Sequence, residues 1–350
     1  MIPGCLPVFS ACGEIPEPRR RSAPVATIAA VLQILAVTLP FFALIAAGYL
    51  AARRRVLPLE AIPGLNVFVL YFALPCMLYR FGAGTPLAQL FDGTVGLIWA
   101  LSALCVVGVV IVFTRGGRIG WNDAAFGALV AAFPNTGFMG VPLLAAVLGS
   151  QAVGPVILTI LFDMVLTSSV CIALSRLDGT GSDGASRAVR QALRGVVLNP
   201  LPWAMLLGAL ASYLRYQLPA PIERTIGMLA DAASPAALFT IGAVLARSAL
   251  HARQLQRRAP FGEIWVAVAA KLVLHPALVF GVGLAALALG LPLSTSALVT
   301  IVLVAALPSA SNVSMLAERF GADNGRIARI ILWTTVGAFF TFPLLTAWLH

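Results

Sequence analysis

The stretch FPNTGFMGVPLL, residues 133–144, decides how this chain folds. It lies in a run from Ala124 to Phe162 without a single charged residue, apolar enough for a bilayer. Yet Pro134 removes a backbone donor and its ring clashes with the preceding turn. Gly137 and Gly140 free the backbone just after it, and Pro142 interrupts again. Asn135 and Thr136 sit at the break, with side chains able to bond a ligand or freed backbone groups. Irregular backbone survives at membrane depth only where protein or a water-filled cavity surrounds it. Several secondary transporters build substrate and ion sites from such discontinuous helices. One break alone is better explained by a proline kink that shapes packing. A second break, LPSASNVSML at 307–316, again joins a proline, Pro308, to an asparagine, Asn312, with Ser309, Ser311 and Ser314 beside them.

Around these breaks the composition is that of a membrane protein. The 350 residues are 60% hydrophobic and only 10% charged, with a mean hydropathy of +0.96. Soluble domains carry about a quarter charged residues. Apolar runs of about 18 residues or more are transmembrane candidates, and here they fill most of the chain. The expected class is an all-α polytopic membrane protein. Its net charge of +10 marks cytoplasmic loops; no basic cluster is interleaved with aromatics, so nucleic acid is not an expected partner. Cys5, Cys12, Cys76, Cys105 and Cys171 form no CxxC and no Cys/His spacing, so neither a metal site nor a disulfide is expected.

Residues 1–24 are polar and proline-rich, ending near Arg19, Arg20 and Arg21. They are expected to be a disordered tail or an over-extended start of the reading frame. Ten helices are expected after them, at about 29–51, 62–80, 94–113, 123–147, 156–174, 196–215, 227–247, 264–288, 297–318 and 327–348. The loops after the odd-numbered helices hold most of the arginine, including Arg53, Arg54, Arg55, Arg187, Arg190, Arg194, Arg257 and Arg258. The positive-inside rule places these loops in the cytoplasm and both termini outside. Five helices is an odd number, so the first repeat (25–174) and the second (196–350) enter the membrane in opposite senses, joined by a cytoplasmic loop at 175–195. Pro75 in the second helix is answered by Pro235 in the seventh, and Pro134 in the fourth by Pro308 in the ninth. Interrupted segments at corresponding places in two inverted halves point to a transporter and its central site.

Ionisable residues inside the spans are costly and usually pair or function. Asp163 lies near the middle of the fifth helix and is the strongest candidate. Lys271 and His275 lie in the eighth, where Lys271 can snorkel to the cytoplasmic end and His275, before Pro276, can satisfy freed carbonyls or take part in coupling. Asp163 and Lys271 are expected to face each other, either as a structural salt bridge or as a coupling site. Burial favours the neutral forms of both, and pairing favours the charged forms. Asp231, at the start of the seventh helix, reaches solvent on the bland reading.

The same segments carry a family resemblance. FVLYFALPCML (68–78), FPNTGFMGVPLL (133–144), SPAALFTIGAVLA (234–246), KLVLHPALV (271–279) and LPSASNVSMLAERFG (307–321) resemble, in order, the auxin efflux carrier family. Its bacterial members include malonate-transporter-like permeases. The resemblance covers nearly everything after residue 25. It implies ten transmembrane helices in two inverted five-helix repeats, with the broken fourth and ninth helices crossing at their breaks. It further implies a scaffold of helices 1, 2, 6 and 7, a transport domain of helices 3–5 and 8–10, and elevator-like movement of organic anions. A homodimer through the scaffold and a place in the bacterial inner membrane go with it. The long cytoplasmic loop of the plant members is absent here.

Substrate contacts are thus expected from Asn135, Thr136, Gly137, Ser309, Ser311 and Asn312, with Pro134, Pro142 and Pro308 making the breaks. No cofactor is expected; proton or sodium coupling stays open. Two other classes are an intramembrane enzyme and a membrane-embedded sensor. No GxSxG, HExxH or paired aspartates support the first, and no soluble signalling domain supports the second.

Overall fold

The structure, a computed structural model, describes residues 23–84, 92–116, 119–177, 200–254 and 261–349. The tail at 1–22, most of the expected cytoplasmic loop at 175–195, and Arg257 and Arg258 lie outside the described residues. Within them the chain is almost wholly helical, with no strand. Six helices among the described residues are long and apolar enough to cross a membrane.

The elements in order are α1 (Ala23–Arg53), α2 (Leu59–Gly84), α3 (Gly93–Thr114), α4 (Trp121–Ala132) and α5 (Thr136–Leu148). They continue with α6 (Val153–Leu174), α7 (Pro200–Tyr213), α8 (Ala220–Gln254) and α9 (Ile264–Ala288). The last three are α10 (Thr295–Ala305), α11 (Asn312–Arg319) and α12 (Asn324–Leu349). The two expected breaks therefore separate α4 from α5 and α10 from α11. Caps explain several boundaries. Asp92 accepts from the N–H groups of Thr94 and Val95 at the start of α3, and Ser294 accepts from Ala297 N–H at the start of α10. Gly149 after α5 and Gly321 after α11 both end their half-helices at positive φ, 85° and 71°, a conformation only glycine adopts freely.

Two helix pairs pack backbone to backbone. A Cβ on Gly48 of α1 would strike the carbonyl of Phe239 on α8, and one on Gly242 of α8 would strike the carbonyl of Ile45 on α1. Gly82 of α2 meets Met205 on α7 in the same way, and Gly208 of α7 meets Tyr79 on α2. Small residues let membrane helices approach this closely, and the gain is van der Waals contact. α2 also packs on α8, so α1, α2, α7 and α8 form one group. α3 packs on α4 and α9 on α10, with α3 against α9 and α12 against α1, α8 and α9. The entry end of α4 is tied to that of α12: Asp123 accepts from Asp323 N–H at 2.7 Å, and Arg326, buried against Gly127, donates to the Asp123 carbonyl at 2.8 Å.

Three of the prolines act as the sequence suggests, though not by breaking a helix outright. Wide π-helical turns occupy Val69–Ala73, Thr136–Gly140 and Ala270–Leu274. Each ends two residues before a proline: Pro75, Pro142 and Pro276. The missing N–H and the ring's clash with the carbonyl four residues back force the wider turn. Pro235, expected to match Pro75, instead sits inside the uninterrupted 35-residue α8. α8 also begins well before the expected residue 227, so Asp231 is inside a helix rather than at its start. It pairs with Arg80 of α2 at 2.7 Å.

Candidate functional site

The two breaks meet. Proline breaks leave backbone groups without helical partners, and here each break supplies the other's. Asn135 N–H donates to the Pro308 carbonyl at 2.8 Å, and Ala310 N–H donates to the Phe133 carbonyl at 3.0 Å. This is a single antiparallel bridge between Pro134 and Ser309. It satisfies polar backbone that would otherwise cost several kcal/mol per group in hydrocarbon. Ser309 N–H donates to Thr334 Oγ1 of α12 at 3.2 Å, tying the second break to a third helix. Gly140 also lies close to the second break, since a Cβ there would run into the Leu307 side chain.

A small cavity opens at this crossing. It is lined by Asn135, Thr136 and Gly137 of the first break, Ala310 and Asn312 of the second, and apolar residues including Leu70, Leu74 and Leu78 of α2 and Leu201 of α7. Its volume is about 30 Å³, room for a water or two. Asn135, Thr136, Ser309 and Ser311 are buried and Asn312 half-buried. The Oδ1 atoms of Asn135 and Asn312 and the Ser309 hydroxyl are buried without a hydrogen-bond partner. A Cβ on Gly137 would meet open space, unlike one on Gly140. Ser309 and Ser311 flank the crossing without lining the cavity.

Beside the crossing lies a second polar group, wholly enclosed. Asp163, Lys271 and His275 are each 0% exposed. No ion pair joins Asp163 to Lys271 among the described residues. Asp163 Oδ1 instead accepts from Trp99 Nε1 of α3 at 2.9 Å and from Thr167 Oγ1 at 3.1 Å. Lys271 does not snorkel. Its ammonium donates to the Ala305 carbonyl at the end of α10, 2.9 Å away, and lies 3.2 Å from His275 Nδ1. His275 thus holds the lysine rather than a freed carbonyl, and its ring sits 5.1 Å from that of Trp99. Asp163 Oδ2 and His275 Nε2 have no partner. Trp99, Thr167 and Thr334 were not singled out from the sequence; a tryptophan or threonine inside an apolar helix carries no periodic signal of its own. Cys171 is buried and unpaired by any disulfide, as are the more open Cys76 and Cys105.

Known proteins are similar to this chain over much of its length. The family profile described as "Membrane transport protein" matches residues 33–346. A "Putative malonate transporter" of Rhizobium meliloti (strain 1021) is 33% identical over 309 residues, which is 87% of this chain and 92% of that protein. "Uncharacterized transporter YfdV" of Escherichia coli (strain K12) is 26% identical over 87% of this chain and 94% of its own length. "Auxin efflux carrier component 8" of Arabidopsis thaliana is 22% identical over 62% of this chain and 72% of its own length.

Proposed function

The chain belongs to the membrane transport protein family, and we propose that it is a secondary carrier of small organic anions, mono- or dicarboxylates such as malonate. The observation that carries this reading is the bridged crossing, with two asparagine amides at its edge. α5 and α11 both start at the crossing, so their positive dipole ends face it. Such ends favour a carboxylate. The asparagine amides add donors, since their O and N atoms exchange by a simple flip. The name of the 33%-identical relative makes malonate the first substrate to try. The sequence holds no Walker A motif, so the drive comes from an ion gradient or from the substrate's own.

Alternating access is of the elevator type on this reading. A cavity of about 30 Å³ is too small for a dicarboxylate, so the crossing must move relative to α2 and α7, which wall it. The reciprocal glycine contacts support two inverted five-helix repeats. α1 on α8 and α2 on α7 are the first helix on the seventh and the second on the sixth, which an inverted two-fold axis exchanges. α3 on α4 and α9 on α10 form a second exchanged set. The group α1, α2, α7 and α8 is then the scaffold, and the remaining helices carry the site.

Uptake of labelled malonate by the purified protein in proteoliposomes tests the function directly. Saturable uptake is expected, competed by other carboxylates. Asn135→Ala should weaken malonate binding by about 1.5–3 kcal/mol, the worth of a hydrogen bond to a charged group, with expression unchanged. Absence of uptake for every carboxylate tried, or an Asn135→Ala protein that binds malonate like the wild type, would overturn it.

A further inference from the structure

The enclosed group beside the crossing is more than packing. Lys271 is the only lysine in the chain; every other basic residue among the 23 is an arginine. Arginine is effectively always charged, whereas a lysine ammonium can shed its proton. A fixed cation to cap the C-terminal end of α10 would be served by arginine, the residue this chain uses everywhere else. Asp163 sits in a π-helical turn, Asp163–Thr167, that no proline forces. Ser168 Oγ donates to its carbonyl at 2.9 Å. Lys271 sits in the π-helical turn that precedes Pro276. Asp163 Oδ2 and His275 Nε2 are buried without partners, as is the hydroxyl of Ser102, one turn beyond Trp99 on α3.

We infer that Asp163, His275 and Lys271 form a proton-binding site whose occupancy is communicated to the anion site through the bond from Lys271 to the Ala305 carbonyl. This rests on the carrier reading above. The charged and titratable groups facing Asp163 among the described residues are Lys271 of α9 and Cys171 of its own helix, with the indole of Trp99 presented by α3; Lys271 in turn faces His275 of its own helix and the Ala305 carbonyl of α10. With one proton between acid and amine the pair is neutral, and with two it carries +1. The proton belongs to the pair, and His275 lies against the amine to relay it. The added charge lies at the end of α10, a few residues before Ser309 and Asn312. It raises the potential there and so favours an anion. By linkage, a bound anion favours the proton equally. The two then move together, which makes the carrier a symporter. A metal cation fits less well. It would need a shell of oxygen ligands, whereas Asp163 is a lone carboxylate beside an ammonium, and no group of three metal-ligating acidic, His or Cys side chains occurs among the described residues.

The sole lysine makes the site directly observable. Protein labelled with 13Cε-lysine gives one lysine resonance. It should move with pH over the range in which uptake varies, and malonate should shift that titration. Malonate entry into proteoliposomes loaded with a pH dye should acidify the lumen. Asp163→Asn should bind malonate with a pH dependence about tenfold smaller than the wild type's, on the scale of ordinary inter-site couplings of about 5- to 150-fold, and should lose gradient-driven accumulation. The ligand's own titration is common to both proteins and cancels. If Asp163→Asn does not fold, the resonance and the dye still decide with the wild type alone. A lysine resonance indifferent to both pH and malonate, or malonate uptake without proton movement, would overturn the site. Failure of every carboxylate to enter, with the lysine still titrating, would instead fall on the carrier reading.

Discussion

Thr334 is the residue on which the crossing's geometry turns. Its hydroxyl donates to the Ile331 carbonyl at 3.0 Å and accepts from Ser309 N–H at 3.2 Å. Replacing it with valine keeps the shape and removes the acceptor, leaving a buried N–H at the second break. An unsatisfied buried donor costs about 1–3 kcal/mol. Thr334→Val should therefore lower the melting temperature measured in detergent and slow malonate uptake. Thr335→Val, whose hydroxyl bonds only the Ile331 carbonyl of its own helix at 2.7 Å, should cost much less; equal losses in the two variants would count against this role. Asn135 and Asn312 were legible in the sequence because an asparagine within a turn of a proline is conspicuous in an apolar run. Thr334 and Trp99 were not, because their importance comes from partners 25 and 64 residues away. Asp163 and Lys271 were legible as buried charges, but their separate partners were not: which donor fills a carboxylate is decided by the neighbouring helices.

At the scale of the element, the same residue type gives different outcomes. Pro75, Pro142 and Pro276 each follow a π-helical turn, while Pro235 leaves α8 unbroken. The sequence identifies where an N–H is missing but not whether the helix widens, stops or closes over the gap. These π-helical turns supply Leu70, Thr136, Gly137 and Phe138 to the cavity wall and Asp163 and Lys271 to the enclosed group, as expected where such turns mark functional sites. The glycine contacts lie equally beyond periodicity, since a glycine in an apolar run looks the same on a crowded or an open face. They allow a sharp comparison. Gly242→Ala places a Cβ against the Ile45 carbonyl, backbone that cannot yield, whereas at Gly281 of α9 a Cβ meets nothing. Overpacking costs about 1–3 kcal/mol, so Gly242→Ala should melt several degrees lower. Gly281→Ala should be neutral or slightly stabilising, since alanine favours helix over glycine by about 1 kcal/mol. Similar melting temperatures for the two variants would mean that the close approach of α1 and α8 contributes nothing.

For the whole molecule the open question is which way it faces, and length and charge argue together. α8 runs for 35 residues, about 52 Å at about 1.5 Å per residue, against a hydrocarbon core of about 30 Å. It must project from the membrane at one end or both. Its far end carries Arg247 and Arg253, and its near end follows the short segment after α7 with Arg215. The turn after α1 holds Arg53, Arg54 and Arg55, so α1 and α8, which pack along each other, both bring arginine to one end. Arg115 after α3 and Arg176 after α6 follow the same alternation, Arg115 resting on the Trp121 ring and Arg176 on that of Phe320. The contact of Arg176 with Phe320 puts the end of α6 and the end of α11 on one side, as the alternation requires. Arginine in short loops is retained in the cytoplasm, which predicts that side as the inner one and both termini outside. Reporter fusions check it residue by residue. A reporter active only outside the cytoplasm should work after residue 350 and after residue 218. It should fail after residues 56, 185 and 256. Activity at 185 with silence at 350 would invert the molecule.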